Sequence, residues 1–117
     1  MSEESPVSHF ITSQLQSLLG DTARATGLPV KVVMRAVSEI IRSEHRQEKT
    51  AAYLLVTRIS RARQANRRYL LFNNEQAIMC LKCYVLSYNP KDAVNLYCAS
   101  CKVFMRDVVG PDDGRAA

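Results

Sequence analysis

Two Cys-x-x-Cys motifs near the C-terminal end of this chain limit the folds that it can adopt. They contain all four cysteines of the 117-residue sequence: Cys80, Cys83, Cys98 and Cys101. Each motif lets two thiolates from one tight turn reach the same ion, and two motifs together supply a closed tetrahedral sulfur shell. A module of about 30 residues rarely folds on an apolar core alone and usually needs a metal or disulfides. The sequence therefore predicts a small fold organised around these four side chains.

The sequence context favours metal binding over disulfide formation. The first residues, MSEESPVSHF, have neither the basic start nor the apolar core of a signal peptide. No run approaches the length of a membrane span. We therefore expect a cytoplasmic protein, and in a reducing compartment cysteines with this spacing bind metal. We predict one structural Zn²⁺, with iron in the same shell as the alternative. Four thiolates leave no open coordination position, which argues against a catalytic metal.

Fourteen residues separate the two motifs, enough for a strand, a turn at Asn89-Pro90 and a returning strand. This stretch resembles small zinc-ribbon proteins found among uncharacterised bacterial and phage genes, whose pattern reads approximately C-x-x-C…S-Y/H-N-P-x-D…Y-C-x-x-C-x-V-F. The chain matches it at Cys80, Cys83, Ser87, Tyr88, Asn89, Pro90, Asp92, Tyr97, Cys98, Cys101, Val103 and Phe104. Those relatives often carry a small residue where this chain has Tyr84. The resemblance implies zinc and a bacterial or phage origin, and it implies no activity.

Other residues of the ribbon are expected to have structural roles. Asn89, Pro90 and Asp92 are predicted turn-formers, and the small core is predicted to contain Tyr97, Val103 and Phe104. Lys82 and Lys102 flank the thiolates, where they could neutralise the net −2 charge of a ZnS4 site or contact a phosphate.

The chain before the cysteines has helical periodicity. It predicts a helix over residues 6–19 that stops at Gly20, a short helix from Asp21 to Gly27, a third helix from Pro29, and a fourth with an apolar stripe. That stripe consists of Ala52, Leu55, Ile59, Ala62 and Tyr69. One helix over 29–72 would be about 65 Å long. We therefore expect a break in SEHRQEKT, with a helix paired in a homodimer as the alternative.

These elements predict a mainly α fold with a small β zinc ribbon, of the α+β class. The expected parts are a helical domain of three to four helices at 1–74, a zinc ribbon at 75–108 and a disordered tail at 109–117.

Residues 22–41 resemble the helix-turn-helix of bacterial DNA-binding regulators. The match consists of Ala23, Gly27, Leu28 and Val33, whereas Thr22 stands where an apolar residue is usual and Pro29 replaces the common cap serine. The resemblance implies a recognition helix with Val30, Lys31, Met34 and Arg35 facing outward, so that Lys31 and Arg35 could reach phosphates or bases. A plain corner between two core helices is the alternative.

The basic excess lies in the middle of the chain. Residues 31–68 carry ten Lys and Arg against three Glu, a net charge of +7. The whole sequence has a net charge of +5, so the rest of the chain is slightly acidic. The densest part contains Arg58, Arg61, Arg63, Arg67 and Arg68, all arginines, whose planar fork suits phosphate and carboxylate. Read as one helix, it places Arg61 and Arg68 on a common line opposite an apolar stripe. Such clustering favours a polyanion partner.

The predicted function is a nucleic-acid-binding regulatory protein, with DNA as the expected target. The alternative is a protein-interaction module or inhibitor that binds an acidic protein surface with the basic helix and ribbon. No enzyme is predicted, since the sequence has no Gly-rich phosphate loop and no Ser-His-Asp set. The two histidines, His9 and His45, lie in polar helical context.

Overall fold

The computed structural model describes residues 15–107 of the chain. It divides into two compact units, residues 1–56 and 57–117. The helices are α1 (Gln16–Thr26), α2 (Val30–Glu44), α3 (Glu48–Gln64) and the short α4 (Pro90–Asn95). The strands are β1 (Tyr69–Phe72), β2 (Ala77–Cys80), β3 (Leu86–Ser87), β4 (Tyr97–Cys98) and β5 (Val103–Phe104), and a 3₁₀ turn follows at Met105–Asp107. The fold is mainly helical with a small antiparallel strand region, compatible with the predicted α+β class.

Helix α1 runs through Gly20, so the predicted stop there and the separate short helix after Asp21 are both wrong. A glycine inside a helix costs about 1 kcal/mol relative to alanine, which weakens a helix without ending it. The predicted end at Gly27 is confirmed, because this residue is left-handed with φ of 74° and its N–H bonds the carbonyl of Ala23. The part of the first predicted helix at 6–14, and the tail at 109–117, lie outside the described residues.

The predicted break between the third and fourth helices is confirmed. Helix α2 ends at Glu44, and His45 leaves the helix in a left-handed conformation with φ of 56°. Helix α3 begins at Glu48. The buried apolar side chains of α2 and of the first half of α3 are Val32, Val33, Ala36, Val37, Ile40, Ala51, Ala52 and Leu55. No helix in residues 15–107 combines the length and apolarity needed to cross a bilayer.

The division between the two units falls inside α3, whose second half belongs to unit 2 (residues 57–117). Ile59 and Ala62 are buried there as predicted. The helix ends at Gln64, and the chain closes with left-handed Asn66 and a bond from Arg67 N to Ala62 O of 2.7 Å. This is the Schellman arrangement that terminates many helices. The prediction that the helix continues to Tyr69 is therefore wrong.

Tyr69 instead begins β1, which pairs antiparallel with β2 in the register Tyr69↔Cys80 and Leu71↔Ile78. The sheet order is β1-β2-β3, so β1 lies at an edge. Asn73 and Asn74 form the turn of this hairpin, and both have a left-handed φ of 54°. A boundary at residue 74 would fall within this hairpin, between the paired strands β1 and β2.

Strands β4 and β5 form a second hairpin, with Tyr97 opposite Phe104 and Cys98 opposite Val103. The stretch that begins at Asn89-Pro90 is a helix rather than the predicted simple turn. Asn89 caps α4 by accepting from Lys91 N at 3.0 Å, and proline suits the first helical position.

The predicted ribbon core is only partly right. The buried cluster of unit 2 contains Ile78, Cys80, Ala93, Cys98 and Met105. Val103 packs against it, whereas Phe104 is 51% exposed and pairs with the Tyr97 ring at 4.9 Å.

Candidate metal centre and arginine groove

The four cysteine sulfurs form one cluster. All lie within 4.8 Å of one another, and the Sγ–Sγ distances are 3.5 Å for Cys83–Cys98 and 4.0 Å for Cys80–Cys101. A tetrahedral shell with metal–sulfur bonds of about 2.3 Å has sulfur–sulfur edges of about 3.8 Å. The cluster therefore has the size and donor set to hold a single metal ion.

Each Cys-x-x-Cys pair lies at the tip of a β-hairpin. The first joins β2 to β3 and the second joins β4 to β5. The two turns close in the same way, because Tyr84 N bonds Cys80 O at 2.9 Å and Lys102 N bonds Cys98 O at 2.7 Å. Two antiparallel hairpins thus bring the four thiols together from opposite ends of the ribbon segment.

Backbone N–H groups point at the first sulfur of each pair. Cys80 Sγ accepts from Lys82 N at 3.3 Å and from Cys83 N at 3.5 Å. In the second turn, Cys98 Sγ accepts from Cys101 N at 3.2 Å. Such donors stabilise negative charge on sulfur, which a thiolate ligand carries.

The thiols differ in acidity because their surroundings differ. Burial would raise the pKa of Cys80, but the N–H groups of Cys83 and Lys82 and the Arg68 guanidinium outweigh it and lower the pKa to about 7. Burial raises the pKa of Cys98 to about 12, and burial also raises the pKa of Cys101. Of Cys80, Cys98 and Cys101, Cys80 is thus the thiol at which negative charge is best stabilised, because two backbone N–H groups and the Arg68 guanidinium act on its sulfur.

Arg68 lies at this centre, which the sequence analysis did not predict. Its guanidinium interacts electrostatically with the side chains of Cys80 and Cys101. Burial opposes the charge of Arg68, but these two cysteines outweigh it and raise the Arg68 pKa. The two residues predicted to have this role, Lys82 and Lys102, are exposed. Helical spacing could not predict this position of Arg68, because the helix on which the prediction placed it ends four residues earlier, at Gln64.

Three other arginines of the predicted set share a groove in unit 2, which we call the arginine groove. Its lining comprises Arg58, Arg61, Arg67, Tyr69, Leu70 and Leu71, around a volume of about 220 Å³. The Arg67 guanidinium carbon lies 5.9 Å from the centre of the Tyr69 ring. The groove therefore combines positive charge from α3 and the following loop with the edge strand β1.

Arg63 is exposed on α3 and does not line this groove. Of the five arginines, three thus come together, one is separate and one turns to the cysteines. No protein-family model, curated protein or solved structure matches this chain.

The predicted recognition-helix residues belong to unit 1 (residues 1–56). Lys31 and Arg35 are exposed on the first turns of α2, with Val30 and Met34 also exposed, at 45% and 43%. The outward orientation expected for these four side chains is confirmed.

Thr22, which departs from the helix-turn-helix pattern, is buried nonetheless. Its hydroxyl donates to Leu18 O at 2.8 Å within α1, so that the side chain meets its polar requirement inside its own helix. Thr22 can therefore occupy a position where an apolar residue is usual.

Proposed function

We propose that this protein is a nucleic-acid-binding regulator from a bacterium or phage, and that a structural zinc ion stabilises its ribbon. The observation that carries the proposal is the arginine groove, in which Arg58, Arg61 and Arg67 line one surface beside Tyr69. The four thiolates favour zinc because a closed sulfur shell is typical of structural zinc sites.

The chemistry of the groove suits a phosphate backbone. A guanidinium remains charged at all physiological pH values and donates a fork of hydrogen bonds that matches phosphate oxygens. Arg61 and Arg67 are exposed, so the approach of a ligand does not require them to be uncovered. Tyr69 is half-buried and adds an aromatic ring, on which a base could stack. Charge and aromatic surface together support a nucleic-acid strand as the ligand.

A second candidate is favoured by the position of β1. This strand lies at the edge of its sheet and its residues line the groove, so that an extended acidic peptide could pair with it while its carboxylates meet the arginines. The same surface would then bind a protein partner, as in the alternative predicted from the sequence.

Fluorescence anisotropy separates the two candidates. Zinc-loaded protein at low salt is titrated into labelled single-stranded DNA, duplex DNA, RNA and an extended Glu-rich peptide. We expect micromolar or tighter binding to a nucleic acid, with an affinity that falls with salt by about 0.7 to 0.9 logarithmic units per phosphate contact. Binding of the peptide alone would instead support the protein-partner candidate.

A pair of charge-matched variants tests the groove itself. Arg61→Ala with Arg67→Ala should weaken binding and reduce the salt slope by about 1.4 to 1.8 units. The control, Arg46→Ala with Arg63→Ala, removes the same charge from two exposed arginines outside the groove. Equal weakening by both pairs would contradict the groove as the binding surface.

The surface of α2 gives a separate expectation. If Lys31 and Arg35 read bases as a recognition helix does, their replacement by alanine should change sequence preference more than salt dependence. Selection from a random duplex library, performed with wild type and the double variant, measures this preference. Identical selected sequences would leave α2 as a plain helical corner.

A further inference from the structure

Arg68 connects the two halves of the cysteine cluster. The two cysteines with which its guanidinium interacts, Cys80 and Cys101, belong to different hairpins, and their sulfurs lie 4.0 Å apart. One guanidinium therefore interacts with a cysteine from each Cys-x-x-Cys turn.

The burial of Arg68 requires compensation. Its Nε is buried and has no hydrogen-bond partner, so part of a charged group is removed from water without replacement. Such a loss is costly unless an opposite charge lies nearby. Four thiolates around a divalent cation carry a net charge of −2, and the Arg68 guanidinium can offset part of this charge.

The neighbours of Arg68 lie on the arginine groove. Arg67 and Tyr69, on either side of it in the chain, both line that groove. Tyr69 is also the register partner of Cys80 and packs against the core that contains Cys80 and Cys98. In addition, Leu81 N donates to Arg68 O at 2.9 Å, which ties the backbone of residue 68 to the start of the first cysteine turn.

We propose that Arg68 is a positioning residue that anchors the Arg67–Tyr69 wall of the groove to the metal centre. With a metal bound, the guanidinium is held between the two cysteine turns, and the residues on either side are presented to the groove. When the metal is lost, this anchor is released and the wall becomes mobile. Resting on the proposed function, the inference makes nucleic-acid binding dependent on metal occupancy.

The first test measures zinc itself and needs no nucleic acid. Zinc release from the full-length protein to an excess of a chromogenic chelator is followed for wild type, Arg68→Ala, Arg68→Lys and the exposed control Arg63→Ala. We expect release about ten- to a hundredfold faster for Arg68→Ala, the usual range for loss of a group that supports metal ligands. Arg68→Lys should be intermediate, because it keeps the charge but not the fork, and Arg63→Ala should match wild type.

The Co²⁺-loaded forms show whether each variant still builds a tetrahedral sulfur site, through the thiolate-to-cobalt absorption. If Arg68→Ala does not fold, Arg68→Lys alone carries the comparison. Release rates within twofold of wild type for every folded Arg68 variant would overturn the anchoring role.

The second test follows the groove wall by hydrogen exchange. Under saturating zinc, amides of residues 67–72 should exchange at least tenfold faster in Arg68→Ala than in wild type, whereas those of α2 should not change. Unchanged exchange at 67–72 would overturn the link between the metal centre and the groove. If Arg68→Ala shows both faster zinc release and faster exchange but the wild type binds no nucleic acid, only the proposed function fails.

The third test compares the nucleic-acid affinities of the Arg68 and Arg63 variants. Under saturating zinc, Arg68→Ala should lose more affinity for the best nucleic-acid probe than Arg63→Ala, although both remove one charge. Equal losses would contradict the coupling while leaving the proposed function intact.

Discussion

Tyr84 and Lys102 occupy equivalent positions in the two cysteine turns and share a left-handed backbone, with φ of 65° and 60°. Each directly follows the second cysteine of its pair, and each N–H bonds the carbonyl of the first cysteine. This conformation is unfavourable for residues with a side chain, by roughly 1–2 kcal/mol. It explains why a small residue is expected at position 84, and the chain accepts Tyr84 there without losing the shape of the turn.

This backbone conformation makes position 102 sensitive to branching. We expect Lys102→Val to destabilise the metal-loaded protein by about 1–2 kcal/mol relative to Lys102→Gly, because a β-branched residue resists a left-handed φ. Chemical denaturation of the zinc-loaded variants measures the difference. Lys82→Val is the control, since Lys82 is exposed in the first turn and its φ is not positive. Equal effects at 82 and 102 would show that backbone conformation is not the cause.

The second prediction concerns the metal. Purified protein should hold about one zinc ion per chain, and Cys83→Ser or Cys98→Ser should release it and unfold the ribbon, because structural zinc supplies folding free energy directly. Native mass spectrometry gives the stoichiometry and circular dichroism the folding state. Ser100→Ala, an exposed change between Cys98 and Cys101, should retain the metal. A folded wild type with less than half an equivalent of any metal would refute the prediction.

The third prediction compares two glycines. Apart from its chain neighbours and the backbone of its own helix, the atom nearest to a methyl group at Gly20 would be Nη1 of Arg24, at 4.0 Å. There is therefore room for alanine. Gly20→Ala should therefore stabilise the protein by up to about 1 kcal/mol, since alanine favours a helix interior. Gly27→Ala should instead destabilise it by about 1 kcal/mol or more, because φ is 74° there. Thermal unfolding measures both, and effects of the same sign would contradict this account.

The fourth prediction concerns the two buried threonines of α1. Thr26 Oγ1 donates to Thr22 O at 2.8 Å and accepts from Leu28 N at 3.3 Å, in the turn that leads to α2. Thr26→Val should cost about 1–3 kcal/mol, because a buried N–H loses its acceptor. Thr22→Val should cost much less, since its hydroxyl only donates to a carbonyl of its own helix. Urea denaturation of both variants measures the difference, and equal losses would show that the bond to Leu28 contributes little.

The local features of this protein follow from its sequence alone. The four cysteines, the helix end at Gly27 and the break after Glu44 follow from short-range chemistry: thiol spacing, a residue without a side chain and a polar stretch. Each depends on a few neighbouring residues, so it can be predicted from them. The prediction that a helix stops at Gly20 was wrong, because one unfavourable residue does not outweigh the helical turns on either side of it.

The positions of the arginine side chains, in contrast, depend on tertiary contacts. Helical spacing put Arg61 and Arg68 on one line, but the chain leaves the helix at Gln64, and pairing of Tyr69 with Cys80 then directs residue 68 toward the sulfurs. Strand pairing joins segments that are distant in sequence, and no periodicity within either segment records it. The direction of a side chain after the end of a helix therefore depends on the partner that the next strand finds.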